Sequence, residues 1–375
     1  MQKEIDDGLD LEQFWKDDDL AHGNNCFNDG TKVALGIRMS GECVFDELGI
    51  KGVHPWDAHD PAQVLEWNRW YNDKAEKVVG RRLLRETMPL PSDACFPETK
   101  RIGEAFGGEY VWKHHTEWLE KGANSYRELE KVLERAETMD YRAFMLSDNW
   151  ESEKKRIYET YGIKPPLFRH IRGPVTLACS IFGSEELIFL IMDEPELARR
   201  YSAAITHAIL EMARITDEEA GETPETAPGF SFSDDNCCLL NQEMYELFGY
   251  PVLKEVFGRY SPEPEHQRFQ HSDSDMGHLL PILGLVGLNG VNFGPNVLVP
   301  QIREHLPHAR IDGCIAPFTF SRNDREGLFT QTKRDCLDGM KYGGVNIATA
   351  GSINYGSSLA SLRLIMATIQ EYGRK

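Results

Sequence analysis

Residues 290–350 read GVNFGPNVLVPQIREHLPHARIDGCIAPFTFSRNDREGLFTQTKRDCLDGMKYGGVNIATA. Short apolar runs bounded by glycine or proline predict buried strands at 290–294, 310–315 and 344–350. Longer charged stretches with helical periodicity separate them, at 297–305 and 324–342. An alternation of buried strand and amphipathic helix, joined by short loops, is typical of a parallel sheet covered by helices.

The same alternation extends over the rest of the chain. Five further strands are predicted at 31–39, 90–93, 167–174, 229–234 and 268–273. Five further helices are predicted at 61–82, 124–137, 194–218, 242–259 and 358–371. Because eight βα units close a barrel, we predict an α/β fold, a single (β/α)8 TIM barrel with extra N-terminal and capping helices. A doubly wound open sheet is the alternative, but the segment after the first strand, RMSGECVF, lacks a glycine-rich phosphate loop.

The domain organisation follows from the spacing of these elements. We predict one barrel domain over residues 1–375, with an N-terminal extension over 1–30. The segment from about 94 to 165 is too long for a single crossover, and it is predicted to be a capping insertion at the mouth of the barrel.

Composition excludes several classes of partner. The chain has 375 residues, 41 Lys and Arg and 60 Asp and Glu, and its net charge is −19. This charge disfavours binding to nucleic acid or to an anionic membrane. The sequence has no run of about 18 apolar residues, and the N-terminus MQKEIDDGLD lacks the features of a secretory signal. The eight cysteines form no CxxC pair, so we expect reduced thiols and a cytoplasmic location.

Polar residues gather where the predicted strands end, which is where barrel enzymes carry their active sites. They are Arg38, Asp93, Asp234, Asp235, His271, Asp273, Asn292, Ser352 and Asn354. Each residue alone is also a normal loop or N-cap residue, but the set favours a site.

Three of these residues form a candidate metal site. Asp235, His271 and Asp273 offer carboxylate and imidazole ligands, which suit zinc and several other divalent ions. Ligands from different strands have no diagnostic spacing, so a simple hydrogen-bonded His–Asp pair is the alternative interpretation.

Several short motifs, in a characteristic order, carry a resemblance. They are Gly173-Pro174-Val175-Thr176-Leu177-Ala178, Phe248-Gly249-Tyr250-Pro251, His271-Ser272-Asp273, Gly313-Cys314-Ile315-Ala316-Pro317 and Glu371-Tyr372-Gly373. Through them the chain resembles the uroporphyrinogen decarboxylase superfamily over nearly its whole length. The resemblance implies a (β/α)8 barrel. It also implies either decarboxylation of a porphyrinogen or transfer of a methyl group to or from a corrinoid on a separate protein.

The resemblance argues against porphyrinogen decarboxylation. Decarboxylases of this family carry an Arg-x-x-x-Arg segment at the end of the first strand, and here Arg38 is followed by Glu42. An acid at this place would repel a substrate with eight carboxylates. Asp93 matches the catalytic aspartate of the family, whereas the family's tyrosine and late histidine fall at Ser180 and Ser352.

The methyltransferase branches fit better. The thiol branch binds zinc through His-x-Cys and a later Cys, but the corresponding residues are His271-Ser272-Asp273 and Ser352. The ether-cleaving branch uses carboxylate and histidine ligands, and Asp235 with His271 fits such a set. In that chemistry zinc polarises the ether oxygen, and a Co(I) corrinoid attacks the methyl carbon. Phe318 can hold an aryl or alkyl group, and barrel core is its alternative role.

We therefore predict a corrinoid-dependent methyltransferase that acts on a small methylated substrate, such as a methyl ether. The expected cofactors are zinc and a corrinoid on a partner protein, and a homodimer is possible. The predicted catalytic residues are Asp93, Arg38, Asp235 and His271, and the predicted substrate-binding residues are Asp234, Asn292, Phe318, Ser352 and Asn354. The alternatives are a decarboxylase or lyase of a smaller acid, suggested by Arg38 and Asp93, a folate-linked methyltransferase, and a binding protein that has lost its chemistry.

Overall fold

The computed structural model describes residues 8–28, 30, 32–57, 59–113, 116–353 and 355–374. The strands in this part of the chain are β1 (Ala34–Leu35), β2 (Glu109–Lys113), β3 (Thr116–Glu120), β4 (His170–Arg172), β5 (Phe230–Ser233), β6 (Arg268–Ser272), β7 (Gly290–Phe293), β8 (Arg310–Ile315) and β9 (Val345–Thr349). The helices are α1 (Leu11–Ala21), α2 (Cys43–Leu48), α3 (Pro61–Val79), α4 (Ile102–Ala105), α5 (Tyr126–Glu137), α6 (Tyr141–Met145), α7 (Trp150–Tyr161), α8 (Pro174–Phe182), α9 (Ser184–Asp193), α10 (Pro195–Ala220), α11 (Gln242–Tyr260), α12 (Leu280–Val286), α13 (Val299–His305), α14 (Pro317–Ser321), α15 (Arg325–Tyr342) and α16 (Leu359–Tyr372). Short 3-10 helices span Gly23–Cys26, Ser92–Ala94, Asp235–Leu239 and Gly277–Leu279.

The described chain divides into two compact units. The first contains the described residues up to Pro89, the segment Ser272–Gly277 and the described residues from Gly290 onward. The second contains those of Leu90–His271 and His278–Asn289. The prediction of one domain over 1–375 stays a prediction.

The first unit is built on four parallel strands in the order β1-β9-β8-β7. In β8 and β9, Ile311 and Val345 are registered partners and both are buried. Helices α15 and α16 begin at capping residues, because the side chains of Asp324 and Ser358 accept hydrogen bonds from the first turns. Such caps satisfy backbone N–H groups that have no partner within the helix.

The second unit is built on the parallel strands β4, β5 and β6, in that order. One face of β5 is apolar, and its rings pack against α11: Phe230 contacts Tyr260 and Phe232 contacts Phe257, with ring centroids 5.6 and 5.5 Å apart. The other face of these strands is polar and more accessible. The core of the second unit therefore lies between the sheet and its helices.

The capping segment, 94–165, contains the predicted helix α5 together with α6 and α7, but also an antiparallel hairpin of β2 and β3 that we did not predict. The predicted strand at 90–93 is wrong, since Ser92–Ala94 is a 3-10 turn. Pro89 and Pro91 explain the difference, because proline cannot donate a hydrogen bond to a neighbouring strand.

The α/β class is confirmed, with parallel strands that alternate with helices. The remaining strands start and end within a few residues of their predicted bounds, although the first is reduced to Ala34–Leu35. All eight cysteines are free thiols, and only Cys95 among them is exposed. No single described helix is long and apolar enough to cross a membrane; the bent pair α8 and α9 passes that test only when taken together.

Candidate functional site

The accessible face of β4, β5 and β6 is lined with polar groups. Successive side chains of a strand point to opposite faces, and registered residues of parallel strands share a face. The register places five exposed or half-buried side chains together, those of His170, Arg172, Ser231, Ser233 and His271. In the register, Ser233 lies between Arg172 and His271. The second unit therefore has a polar face that a small molecule can reach.

His170 is bridged between two serines of β5. Its Nδ1 lies 2.8 Å from Ser231 Oγ, and its Nε2 lies 2.9 Å from Ser233 Oγ. Partial burial lowers the pKa of His170 below its ordinary value, and the nearby His271 lowers it further. The ring is therefore neutral at pH 7, and it fixes the directions of both hydroxyl groups.

The turn after β4 is joined to the turn after β5. The backbone N–H of Thr176, in the first turn of α8, donates to Asp234 Oδ1 at 2.7 Å. The Thr176 hydroxyl oxygen accepts a bond from the Asn236 N–H at 3.0 Å. Asp235 lies between these two anchored residues, so its backbone is held on both sides.

Gly173 is required for this junction. A Cβ atom at position 173 would lie 2.2 Å from Asp234 Cβ and 2.3 Å from Asp234 Cγ. The glycine of the Gly-Pro motif thus leaves room for the aspartate at the N-terminus of α8. The motif at 173–176 therefore has a structural role, because it holds Asp234 and so helps to position the neighbouring Asp235.

Asp234 is completely buried. Burial raises the pKa of its carboxyl group to about 7, although hydrogen bonds from Thr176 oppose the shift. Its carboxylate lies against the start of α8, so it holds the turn in place. Its predicted role in substrate binding stays a prediction.

Because Asp234 is buried, we expect the free energy of unfolding of the metal-free protein to depend on pH. The folded state holds this proton more tightly than the unfolded chain, whose aspartate pKa is about 3.8. The stabilisation is therefore complete below about pH 4 and is lost as the pH rises through about 7. At about 1.4 kcal/mol per pKa unit, the loss amounts to as much as ~4 kcal/mol.

Urea denaturation at several pH values, with a chelator present, checks this for the wild type and Asp234→Asn. Between pH 4 and 7.5, we expect the free energy of unfolding of Asp234→Asn to change much less with pH than that of the wild type. Asp148→Asn, at an exposed position, should show the same pH dependence as the wild type. Equal slopes in all three proteins would show that Asp234 does not cause the effect.

Two of the predicted metal ligands, His271 and Asp235, lie next to each other in the second unit. His271 Nε2 lies 3.6 Å from Asp235 Oδ1, and both side chains are partly accessible, at 21% and 41%. The third predicted ligand, Asp273, follows His271 by two residues in the chain. In the first unit, the backbone of Asp273 packs against Gly294, where a Cβ atom would lie 2.3 Å from the Asp273 carbonyl oxygen.

These donors fit a divalent metal ion. One imidazole nitrogen and two carboxylate oxygens suit zinc and other borderline ions, and no thiolate is needed. Two ligands at bond lengths of about 2.0–2.1 Å in a tetrahedral site lie roughly 3.4 Å apart. The 3.6 Å between His271 Nε2 and Asp235 Oδ1 is close to that value.

Asp93 has different surroundings from this cluster. Its Oδ2 accepts a hydrogen bond from the Tyr161 hydroxyl at 2.6 Å, and its carbonyl accepts one from Arg156 at 2.6 Å. In the described part of the chain it makes no hydrogen bond or ion pair with Asp235 or His271. Its predicted catalytic role stays a prediction.

Four other predicted site residues lie in the first unit. Arg38 is exposed and lines a cavity of about 620 Å³ together with Arg310 and Asn346. The side chain of Asn292 bonds to backbone groups, including Thr349 O at 3.0 Å. Phe318 (66% exposed) and Ser352 are exposed, and Asn354 lies outside the described residues.

Sequence reasoning missed the polar groups of β4 and β5. The predicted strand at 167–174 contained the necessary signal, since Phe168, His170 and Arg172 alternate with Arg169 and Ile171. Period-two alternation places His170 and Arg172 on one face. The position at the end of a strand, on which the prediction rests, does not single out these residues.

Comparison with known proteins places the chain in a family. Residues 154–372, more than half of the chain, match the sequence model described as uroporphyrinogen decarboxylase (URO-D). The chain belongs to the uroporphyrinogen decarboxylase family. The matched part of this URO-D family member contains Asp235, His271 and Asp273, whereas Arg38 and Asp93 lie outside it.

A solved structure supports the fold of this URO-D family member. A methyltransferase from Methanosarcina mazei matches with a TM-score of 0.53 and 16% sequence identity, over 92% of this chain and 94% of that chain. The match supports the α/β fold class predicted from the sequence. No curated protein matches the sequence significantly.

Proposed function

We propose that the protein is a corrinoid-dependent methyltransferase that moves a methyl group between a small methylated substrate, such as a methyl ether, and a corrinoid on a separate protein. The observation that carries this proposal is the Asp235–His271 pair at 3.6 Å, with Asp273 two residues beyond. The URO-D family includes enzymes of this type, and the cluster lies within the matched residues.

We further propose that His271, Asp235 and Asp273 hold a zinc ion. When bound, such an ion polarises the heteroatom that carries the methyl group and makes it a better leaving group. The nucleophile that accepts the methyl group is supplied by a reduced corrinoid on the partner. The chain has no thiolate at 273 or 352, so the donor set favours ethers or amines over the thiol branch.

The remaining polar face would orient the substrate. His170 holds the hydroxyl groups of Ser231 and Ser233, and Ser233 is the registered neighbour of His271. A fixed hydroxyl beside the ligand cluster can donate a hydrogen bond to the leaving heteroatom. Because the donors are positioned before the substrate arrives, little reorganisation is needed during the reaction.

Methyl transfer to cobalamin tests the proposal directly. The purified protein is mixed with Co(I) cobalamin under anaerobic conditions and with a panel of methyl ethers, methylamines and methylthiols. We expect methylcobalamin, detected by absorbance, with at least one ether or amine. This arrangement, with reduced corrinoid and free thiols, would suit a cytoplasmic enzyme.

Two parallel assays distinguish the alternatives. Release of CO2 from a candidate acid, without methylcobalamin formation, would overturn the proposal in favour of a lyase. Methyl transfer only to or from a tetrahydrofolate would favour the folate-linked alternative.

A further inference from the structure

Arg172 brings a positive charge to the polar face of the second unit. Its Nη1 donates to Ser180 Oγ at 2.9 Å, and Ser180 in turn donates to the Thr176 carbonyl at 2.9 Å. In the part of the chain that the structure describes, no carboxylate forms an ion pair with Arg172.

The nearby acid on the hairpin is already engaged. Glu117 accepts two hydrogen bonds from Arg101, at 2.5 and 2.9 Å. These bonds lower the pKa of Glu117, and the charge of Arg172 contributes in the same direction. Glu117 is thus paired directly with Arg101, and it interacts with Arg172 only through charge at longer range.

The contact with Ser180 leaves one edge of the guanidinium group available. Since Nη1 is used, Nε and Nη2 remain as a parallel pair of donors. This pair matches the two oxygens of a carboxylate in a bidentate contact. A single guanidinium balances one negative charge, which suits a monocarboxylate.

The strand register gives the distance between Arg172 and the ligand cluster, which consists of Asp235, His271 and Asp273. Arg172 is registered with Ser233, and Ser233 with His271. Two strand spacings separate the Cα atoms of Arg172 and His271 by about 10 Å, a distance that the long arginine side chain can shorten. Arg172, His170 and Ser233 also line a cavity of about 430 Å³ together with apolar groups such as Phe168 and Ile171.

We propose that Arg172 binds a carboxylate group of the substrate and so selects small methylated monocarboxylic acids. This inference rests on the proposed function, since it places the methyl group toward His271. The apolar groups of the cavity would contact the part of the carbon skeleton next to the carboxylate. Arg172 is thus a specificity-determining residue, distinct from the ligand cluster.

Pairs of isosteric compounds test the assignment. The kinetic probes are 4-methoxybenzoate with 4-methoxybenzamide, and methoxyacetate with methoxyacetamide, assayed for methyl transfer to Co(I) cobalamin. In Arg172→Gln we expect KM for the acids to rise about 10- to 100-fold, the range of a charged hydrogen-bonded contact, while KM for the amides stays within about twofold. Arg172→Lys should restore only part of the loss, because an ammonium group cannot bind bidentately.

Controls separate recognition from folding. Arg199→Gln, on the exposed surface of α10 with only a 3.7 Å contact to Glu196, should leave all four KM values unchanged. The amide substrates report on the fold of Arg172→Gln itself. An equal rise for acids and amides, or no rise for either, would overturn the assignment while methyl transfer by the wild type stands.

A binding measurement is independent of turnover. Titration calorimetry with 4-methylbenzoate and 4-methylbenzamide, which carry no transferable methyl group, is expected to show preference for the acid in the wild type and loss of it in Arg172→Gln. This result would support the carboxylate site even if no methyl transfer is found. Equal binding of acid and amide by the wild type would refute it.

Discussion

Replacing His271 by alanine is expected to abolish metal binding and to lower methyl transfer by more than about 100-fold. The imidazole is the common member of the cluster, 3.6 Å from Asp235 and two residues from Asp273. Its loss leaves only carboxylates, which bind zinc weakly as a pair. Changes to residues that merely orient metal ligands already cost about 10- to 100-fold, so loss of a ligand should cost more.

Metal content by mass spectrometry on purified proteins provides the measurement. The wild type should contain about one zinc per chain, as for a single site with three protein ligands. Asp235→Asn should show a partial loss, because the amide oxygen is a poorer ligand. His308→Ala, at an exposed position of the first unit, is the matched control and should keep its metal.

The decisive comparison is between the two histidine variants. Equal zinc in His271→Ala and His308→Ala would exclude the cluster as the metal site. A wild type that takes up no metal when metal is supplied would favour a metal-free reaction, in which Asp235 and His271 act as a hydrogen-bonded pair.

Replacing Gly173 by alanine is expected to destabilise the protein by about 3 kcal/mol or more. The new Cβ would lie 2.2 Å from Asp234 Cβ, far inside van der Waals contact. Overpacking of this kind typically costs about 1–3 kcal/mol and sometimes more. The backbone at Gly173, with φ −63° and ψ 160°, is allowed for alanine, so the cost comes from the contact alone.

A helical glycine of the same unit provides the control. Gly258 in α11 has open space around it, and alanine there should be neutral or stabilise by about 0.5–1 kcal/mol. Urea denaturation of both variants gives the comparison. If the chain relaxes by moving Asp234, Asp235 moves with it, so Gly173→Ala should also bind zinc less tightly. Denaturation midpoints equal to that of the wild type would show that the junction adjusts without cost.

The fold was largely predictable because its pattern is local. Strands such as β7 and β9 are short, mostly apolar runs between breakers, and helices such as α5 and α10 have a clear apolar stripe. The failures also have local causes. Two prolines prevent the strand expected at 90–93. The hairpin strands Glu109–Lys113 and Thr116–Glu120 consist mainly of charged and aromatic residues without a clear alternation.

The candidate site was predictable only in part. Asp235 and His271 were identified because they end adjacent strands, and neighbouring parallel strands bring their ends together. The sequence does not predict Arg172 as a site residue, because its proposed role depends on the lack of an ion pair with a carboxylate. Packing between segments that are distant in the sequence decides which arginines form ion pairs, as the Arg101–Glu117 pair shows. The position of a residue in a strand does not reveal this.

The distribution of thiols has a practical consequence. Seven of the eight cysteines are buried or half-buried, and Cys95 is exposed. A maleimide dye applied briefly to the folded wild type should therefore attach at a single position. Cys95 lines a cavity of about 550 Å³ together with Trp150. The native chain therefore has a cysteine to which the dye attaches and a nearby tryptophan that can quench the dye or transfer energy to it. A change in the surroundings of Cys95 can then be followed by fluorescence without substituting any residue.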